Sequence, residues 1–168
     1  MTTSAFAPAA AGFAVVSILL LGACATRQPV EQPAAAAPLP VRATVEKVSA
    51  DGLFGFGRAA IDPASAGAVE LETLASRLTG SDVPVKAVHV IGHSDRIGND
   101  RANVALSTRR AEAVRDYLLE RGVQAALVTA VGRGSVEPVV ECGVERGQAL
   151  VECLAPNRRV EVRVSYGD

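Results

Sequence analysis

The C-terminal part of the chain alternates between valine and polar residues, which is the pattern of a strand with one buried face. Residues 159–165 read RVEVRVS, and the three valines of this segment are predicted to face the core. Runs of β-branched and apolar residues predict three more strands, of which the first is split by a turn signal at Asp51-Gly52. These runs are residues 44–49 with 53–56, residues 85–91 and residues 127–131.

The spacing of apolar residues elsewhere predicts two amphipathic helices. The first is expected to begin at Asp62-Pro63, because Asp caps a helix and Pro is tolerated in its first turn, and to end at Gly80. The second is expected to be capped by Asn99 and to run until Gly122, its C′ residue. The predicted buried positions are Leu71, Leu74 and Leu78 in the first helix, and Val104, Ala111, Val114 and Leu118 in the second.

The predicted elements follow the order β-α-β-α-β-β along the chain. Helices separate the early strands, and the last strand has the alternation of a strand with a single buried face. The sequence therefore predicts an α+β sandwich in which one mixed sheet is packed on one face against two helices. We assign this folded domain to residues 44–168.

The N-terminal segment is too uniformly apolar to belong to that domain. Residues 1–26 contain no Asp, Glu, Lys, Arg or His, and an apolar run over residues 9–23 ends in small residues before Cys24. This is the pattern of a secretory signal peptide. The segment Leu21-Gly22-Ala23-Cys24 resembles a bacterial lipobox, which implies a signal peptide at residues 1–23 and a lipid on the Cys24 sulfur. An uncleaved membrane span is the alternative, since the uncharged run is long enough to cross about 30 Å of hydrocarbon.

A proline-rich spacer follows the apolar segment. Residues 25–42 hold four of the nine prolines of the chain and a run of alanines, with no amphipathic period. Proline-rich segments extend by about 3.1 Å per residue, so this one would reach on the order of 50 Å. We interpret residues 24–43 as a lipidated cysteine followed by a tether.

The chain has three cysteines, and an odd number in an exported protein requires an account of the unpaired one. If Cys24 carries a lipid, Cys142 and Cys153 remain, and an oxidising compartment would allow them to form a disulfide. Two unpaired thiols are the alternative. A zinc site is not predicted, because the two histidines of the chain lie far from these cysteines in sequence.

The charges of the chain are nearly balanced. Its 168 residues include 17 Lys and Arg and 18 Asp and Glu, for a formal net charge of -1. A chain of this length supports one domain with a substantial core. Without an overall positive field it is not expected to bind nucleic acid or an anionic membrane surface through general electrostatics.

Candidate binding residues occur in the turn after residues 85–91 and in the helix that follows it. Asn103 and Arg110 are seven residues apart, so they differ by only about 20° in direction and share one helix face. Asp95 lies in the turn that leads into this helix. Such a trio suits a zwitterion, since a carboxylate binds an ammonium and the Arg fork binds a carboxylate. A surface ion pair between Asp95 and Arg110 is the alternative.

Several motifs in combination resemble the OmpA-like peptidoglycan-binding domain over about residues 50–166. The motifs are Gly92-His93-Ser94-Asp95 with Gly98, Leu106-Ser107-Thr108-Arg109-Arg110-Ala111, Gly132-Arg133-Gly134 and Asn157-Arg158-Arg159-Val160-Glu161-Val162. The resemblance implies the β-α-β-α-β-β fold and a ligand, the diaminopimelate of the peptidoglycan stem peptide. One domain of this family that the chain resembles also carries a pair of cysteines, which favours a bridge between Cys142 and Cys153. In its lipid and tether, the chain is similar to the peptidoglycan-associated lipoproteins.

The resemblance also implies roles for individual residues. Asp95 would bind the ammonium at the free end of diaminopimelate, and Arg110 would bind the carboxylate at the same end. Asn103 would add a hydrogen bond nearby. Arg159 or its neighbour Arg158 is expected to line the same region through the last strand.

The chain departs from the family pattern at Gly55 and Gly57, where the family usually has Asp or Asn. The side chain expected at Gly57 would help to hold the ligand, and glycine has none. This departure favours a second function class, a periplasmic protein-protein interaction module with weak or lost peptidoglycan binding. The last strand is expected to present Glu161 and Arg163 to solvent, where a protein partner could contact them.

An enzyme is the third function class, and the sequence gives it little support. His89 and His93 are too far apart to hold one metal if they lie in a strand, because four strand residues span about 13 Å. No Ser lies in a G-x-S-x-G elbow, and Gly132-Arg133-Gly134 lacks the Lys and Ser/Thr of a phosphate loop. We therefore predict a binding protein without a cofactor. It would be a lipoprotein on the periplasmic face of the outer membrane that links this membrane noncovalently to the cell wall.

Overall fold

The computed structural model of the protein describes residues 42–55 and 57–167. The predicted signal peptide, Cys24 and almost all of the predicted tether lie outside these residues. The described strands are β1 (Ala43–Ser49), β2 (Val85–Gly92), β3 (Leu127–Gly132) and β4 (Arg159–Tyr166), and they form one sheet with the order β1-β4-β2-β3. Strand β4 is antiparallel to both of its neighbours, whereas β2 and β3 are parallel, so the sheet is mixed as predicted.

Helices connect these strands. They are α1 (Ala50–Leu53), a single turn after β1, then α2 (Ala66–Thr79), α3 (Asp100–Glu120) and the short α4 (Gly147–Cys153). Helices α2 and α3 share one core with the sheet, which confirms the predicted α+β architecture. The α1 turn and α4 are additions that the sequence pattern did not predict. Among the described residues, no helix has the length and apolarity needed to cross a membrane.

The core lies between the two long helices and the valine face of β4. Val160, Val162 and Val164 are almost completely buried, as the alternation predicted. They pack against leucines of α2, apolar residues of α3 and the central valines of β2. Each such side chain contributes about 1.5–3 kcal/mol relative to an exposed position. The hydrophobic side of the sheet therefore fixes both helices against the same four strands.

The prediction of a strand over residues 53–56 is wrong for residues 53–55, and residue 56 lies outside the described residues. Ser49 ends β1 and caps a helical turn, because its hydroxyl oxygen accepts a hydrogen bond from the backbone N–H of Gly52 at 3.3 Å. Phe54 then makes a single bridge with Ile61. Asp51 and Gly52 were predicted to form a turn between two strand pieces. They lie instead in the helical turn α1, which begins directly after the Ser49 cap.

Helix α2 begins at Ala66, four residues after the predicted start at Asp62. The capping residue is Ser65, whose hydroxyl accepts a hydrogen bond from the backbone N–H of Ala68 at 3.1 Å. Asp62 instead accepts a hydrogen bond from the N–H of Ala64 at 3.0 Å and forms a turn before the helix. Both residue types can cap a helix, and the second of the two does so here.

Helix α3 begins after Asn99, which caps it, and is followed by Gly122 in the left-handed conformation with φ 81°, as predicted. The predicted burial of Val104 is wrong, since this side chain is 43% exposed. The inward position of that turn belongs to Asn103, which points about 100° away from Val104 around the helix. Polar Asn103 and Arg110 occupy the buried face of the first half of α3 because this face borders a cavity.

The sheet register brings several chain segments to one end of the sheet. Ser49 at the end of β1 pairs with Arg159 at the start of β4, and Gly92 at the end of β2 pairs with Val160. Helix α3 starts at this end, since it follows β2 after the turn 93–99. The α1 turn, the turn after β2, the first half of α3 and the start of β4 are therefore neighbours.

Cys142 and Cys153 form a disulfide with their Cα atoms 6.3 Å apart, which confirms the predicted pairing. The bond joins the end of α4 to the loop that follows β3. The same loop is held to the turn after β2, because Arg96 donates a hydrogen bond to the carbonyl oxygen of Cys142 at 2.6 Å. The disulfide-closed loop therefore packs beside the end of the sheet where these segments meet.

Candidate functional site

A cavity of about 140 Å³ opens at the end of the sheet where α1, α3 and the start of β4 meet. Four charged side chains line it, two carboxylates and two guanidiniums: Asp51, Asp95, Arg110 and Arg158. Asn103, Gly57 and apolar side chains such as Ile97 and Leu106 complete the lining. The formal charges of the lining balance, so the cavity suits a group that carries one charge of each sign.

Asp95 lies just beyond the end of β2 and is only 8% exposed. Its Oδ1 atom accepts a hydrogen bond from the backbone N–H of Ile97 at 2.9 Å. Its Oδ2 atom accepts one from Nη1 of Arg158 at 2.7 Å. Each carboxylate oxygen has a second acceptor position, so Asp95 can still bind an ammonium.

Asn103 holds the turn after β2 in shape. Its Nδ2 atom donates hydrogen bonds to the carbonyl oxygens of Asp95 and Ile97, each at 3.1 Å. These bonds use both amide protons, so the oxygen is the atom that Asn103 can offer to a ligand. The structure thus brings Asn103 to the cavity and gives it the additional task of positioning Asp95.

Arg110 points from α3 into the cavity and is only 3% exposed. Its Nε atom donates a hydrogen bond to the carbonyl oxygen of Arg58 at 2.9 Å, and its Cζ atom lies 5.2 Å from the centre of the Phe54 ring. Burial lowers the pKa of Arg110 from its ordinary value, and the carboxylate of Asp51 opposes this shift. The hydrogen bonds from Arg110 to the described residues use Nε alone, which leaves both Nη atoms for a carboxylate.

Arg158 bridges the two carboxylates of the cavity. Its Nε and Nη2 atoms bind the carboxylate of Asp51 at distances between 2.7 and 3.0 Å. Its Nη1 atom binds Asp95 at 2.7 Å and the carbonyl oxygen of Val151 at 3.0 Å. The hydrogen bond to Asp51, followed by the one to Asp95, raises the pKa of Arg158 although burial opposes the shift. The three charges form a continuous chain of ion pairs.

Arg159 lies outside this cavity, and of the two neighbouring arginines Arg158 is the one that lines it. Arg159 projects from the opposite side of the sheet to the core valines, where its Nε atom donates to Glu161 at 2.9 Å. Glu161 also accepts a hydrogen bond from Arg163 at 2.8 Å and is only 4% exposed. The expectation that Glu161 faces solvent is therefore wrong. The side chain of Arg159 covers this part of the sheet. It also donates a hydrogen bond to the carbonyl oxygen of Glu137.

Asp51 is the charged cavity residue that sequence reasoning did not assign to the site. In the sequence it is half of a turn signal, and nothing nearby marks it as a ligand-binding residue. Its partner Arg158 is 107 positions away along the chain. The α1 turn and the start of β4 bring the two together, since the backbone N–H of Ala50 donates to the carbonyl oxygen of Arg158 at 2.9 Å.

Gly57 lines the same cavity in the left-handed conformation, with φ 66°. A Cβ atom built on Gly57 would meet nothing within 4 Å, whereas one on Gly55 would lie 3.3 Å from the side chain of Arg58. The cavity therefore has open space at Gly57, where the family resemblance predicts a side chain.

The two histidines are placed apart from each other and from the lining of the cavity. The Nδ1 atom of His89 lies 2.7 Å from the hydroxyl of Thr129, a neighbour on β3. His93 is 1% exposed, and neither of its ring nitrogens has a hydrogen-bond partner among the described residues. Burial, together with the positive charge of Arg159, lowers the pKa of His93 from its ordinary value. The nearest carboxylate oxygen, on Glu161, is 4.0 Å from Nε2.

Mild acid is expected to destabilise the fold through His93. Because the pKa of this residue in the folded protein lies below the ordinary value of about 6.5, the unfolded chain takes up the proton first. The free energy of unfolding should therefore fall as the pH drops from about 6.5 towards the lower folded value. Denaturant unfolding at about pH 7.5 and pH 5.5 checks this, and His93→Gln should lose less stability than the wild type.

Glu161 adds a separate loss at lower pH. Burial alone would raise its pKa, but hydrogen bonds from Arg163 and Arg159 hold that pKa below its ordinary value. Its contribution is therefore present above about pH 4.5 and is lost only as the pH falls below that value. An equal loss of stability between about pH 7.5 and pH 5.5 in the wild type and in His93→Gln would contradict the assignment to His93.

Comparison with known proteins identifies the family of the chain. Residues 53–151 match the OmpA family. Outer membrane protein A of Yersinia pseudotuberculosis is 43% identical over 132 residues, which cover 76% of this chain and 37% of that protein. Outer membrane protein A of Shimwellia blattae is 40% identical over 139 residues, which cover 81% of this chain and 57% of that protein. The chain thus covers less than two thirds of the length of either relative.

Solved structures with the same fold include two proteins of bacterial envelopes. The cell wall anchor of the T6SS from Pseudomonas aeruginosa superposes with a TM-score of 0.58 and 30% identity, over 76% of this chain and 87% of that one. The peptidoglycan-associated lipoprotein from Burkholderia pseudomallei gives a TM-score of 0.52 and 26% identity, over 72% of this chain and 89% of that one. With the match over residues 53–151 and the mixed sheet described above, these likenesses show that the chain belongs to the OmpA family.

Proposed function

We propose that the protein is an outer-membrane lipoprotein that binds peptidoglycan noncovalently through the diaminopimelate of the stem peptide, and so links the outer membrane to the cell wall. The observation that carries this proposal is the charge-balanced cavity at the end of the sheet. The free end of diaminopimelate bears one ammonium and one carboxylate. Asp95 offers an acceptor to the ammonium, and the Nη atoms of Arg110 offer a fork to the carboxylate.

Burial of Arg110 makes the recognition selective. Arg110 is more than nine-tenths buried and uses only its Nε atom within the described residues, so a ligand without a carboxylate would leave this guanidinium charge uncompensated away from water. A site built to pair a carboxylate rejects molecules that lack one. The proposed function requires binding without turnover, because a noncovalent link only has to hold.

The membrane half of the proposal rests on the N-terminal sequence. The apolar run, the small residues before Cys24 and the proline-rich segment after it are what a lipid-anchored tether requires. Relatives named outer membrane protein A and a structural neighbour named peptidoglycan-associated lipoprotein support an envelope location. The neighbour named as a cell wall anchor supports attachment to the wall.

Cosedimentation with purified diaminopimelate-type peptidoglycan tests the wall half of the proposal. The full chain, solubilised in detergent, is expected to sediment with the wall material and to be released by free diaminopimelate. A folded, disulfide-bonded protein that stays in the supernatant would overturn the proposal. The alternative function, a periplasmic protein-protein interaction module, would then take its place.

Metabolic labelling with an alkyne-tagged fatty acid tests the membrane half. The wild-type protein is expected to carry the label, and Cys24→Ser is expected to lack it. Cys142→Ser is the matched control, since it removes a cysteine that is disulfide-bonded in the folded domain. Label that persists in the Cys24→Ser protein would exclude lipidation at this residue.

Gly57→Asn is expected to strengthen binding of diaminopimelate by about 1 kcal/mol, the usual contribution of one added hydrogen bond. Asn tolerates a positive φ better than most residues, and a Cβ atom at this position meets nothing within 4 Å. Titration calorimetry with free diaminopimelate measures the effect. Gly147→Asn is the control, because Gly147 is also left-handed and open but lies outside the cavity. Equal affinities for the two variants would show that the open space at Gly57 is not part of the binding site.

A further inference from the structure

Besides Arg158, the charged residue of the cavity to which the proposed function gives no role is Asp51. Its side chain is 43% exposed, whereas those of Arg158 and Asp95 are 12% and 11% exposed. Asp51 therefore lies at the open side of the cavity, and Arg158 lies between the two carboxylates. Both oxygens of Asp51 are directed at this one guanidinium.

Arg158 competes with any ligand ammonium for Asp95. Its Nη1 atom lies 2.7 Å from Oδ2 of Asp95, where a positive charge reduces the attraction that an ammonium would feel. The carboxylate of Asp51 offsets that positive charge, because it binds the same guanidinium through Nε and Nη2. Asp95 thus keeps its attraction for an ammonium only while Asp51 neutralises Arg158.

Arg158 is also fixed by contacts that do not involve Asp51. Its Nη1 atom donates to the carbonyl oxygen of Val151 at 3.0 Å, and its own carbonyl oxygen accepts from the N–H of Ala50 at 2.9 Å. Loss of the Asp51 charge would therefore leave the guanidinium near Asp95 with its positive charge uncompensated. Burial lowers the pKa of Arg110, and of the two cavity carboxylates Asp51 opposes this shift more strongly than Asp95. The charge of Asp51 thus acts on both guanidiniums.

We propose that Asp51 determines the ligand specificity of the cavity. By neutralising and positioning Arg158, it makes the cavity select a head group that carries both an ammonium and a carboxylate over one that carries carboxylate alone. Without the Asp51 charge the cavity holds two guanidiniums and one carboxylate, which is an anion site. This inference rests on the proposed function, since it concerns the same cavity and the same ligand.

Calorimetric titration with two matched ligands tests this inference. Free diaminopimelate is compared with pimelate, the same dicarboxylate without amino groups, on the full chain in detergent. The wild type is expected to prefer diaminopimelate. Asp51→Asn is expected to weaken diaminopimelate binding about tenfold while pimelate binding stays the same or strengthens. Asp51→Glu, which retains the charge, is expected to restore the preference.

Asp82→Asn is the matched control, because it removes the same charge from an exposed position outside the cavity. It should leave both affinities unchanged. If Asp51→Asn weakened the binding of both ligands equally, Asp51 would merely support the structure. If it changed neither affinity, Asp51 would have no role in binding. Either result would overturn this inference and leave the proposed function standing. A wild-type protein that does not bind diaminopimelate would overturn the proposed function and this inference together.

Discussion

Arg110→Leu is expected to abolish cosedimentation with diaminopimelate-type peptidoglycan and to weaken binding of free diaminopimelate by about a hundredfold. Arg110 is 3% exposed, so the loss of its guanidinium would leave the ligand carboxylate unpaired in a site that water hardly reaches. Arg110→Lys should also bind poorly, because an ammonium keeps the charge but lacks the planar fork. Cosedimentation and calorimetry on the full chain measure both effects.

The neighbouring residue provides the control for this prediction. Arg109 is exposed on the same helix, and Arg109→Leu removes the same charge without touching the cavity, so it should bind as the wild type does. Arg110 also contacts Phe54 and the carbonyl oxygen of Arg58, so thermal melts must accompany the binding data. A folded Arg110→Leu protein that still sediments with the wall would remove Arg110 from the proposed site.

Gly92→Ala is expected to lower the free energy of unfolding by about 3 kcal/mol, the upper end of the usual range for overpacking. A Cβ atom on Gly92 would lie 2.9 Å from the carbonyl carbon of Ser107 and closer still to its oxygen. Because these are backbone atoms of α3, the helix itself would have to move away from β2. Urea denaturation measures the loss, and diaminopimelate binding should weaken too, since α3 carries Asn103 and Arg110.

Gly143→Ala is the matched control for this substitution. A Cβ atom there would meet nothing within 4 Å, and Gly143 lies in the loop closed by the disulfide rather than under α3. Its effect on the free energy of unfolding should stay within about 0.5 kcal/mol. If Gly92→Ala were as stable as Gly143→Ala, the stability of the fold would not depend on the close approach of α3 to β2.

The parts of the fold that local signals determine could be predicted from the sequence. The alternation of Val160, Val162 and Val164 depends only on the two-residue period of a strand. Asn99 and Gly122 mark the ends of α3, because capping depends on residues within one turn. The prediction failed at Val104, where hydrophobicity indicated burial. The buried face of α3 turns polar there, because it lines a cavity instead of the core.

The site was only partly predictable for a related reason. Asn103 and Arg110 share one face of α3, and Asp95 lies in the turn that leads into this helix. Their proximity therefore follows from local geometry. Asp51 and Arg158 are 107 positions apart, and only the pairing of β1 with β4 brings them together. Glu161 shows the same limit, since strand alternation predicts which face it occupies but not that long side chains such as Arg159 cover that face.

The register between β1 and β4 has a mechanical consequence for the proposed link between membrane and wall. Ala43, where the chain enters β1, pairs with Ser165, while the cavity lies at the other end, beside the pair of Ser49 and Arg159. Opposite pulls on the N-terminal segment and on a ligand held by Asp95, just after β2, would act in opposite directions at opposite ends of the sheet, and β4 lies between β1 and β2. Such a force shears all seven paired positions at once instead of separating them one after another. Under the proposed function, the pairing of β1 with β4 is thus oriented to resist tension between membrane and wall.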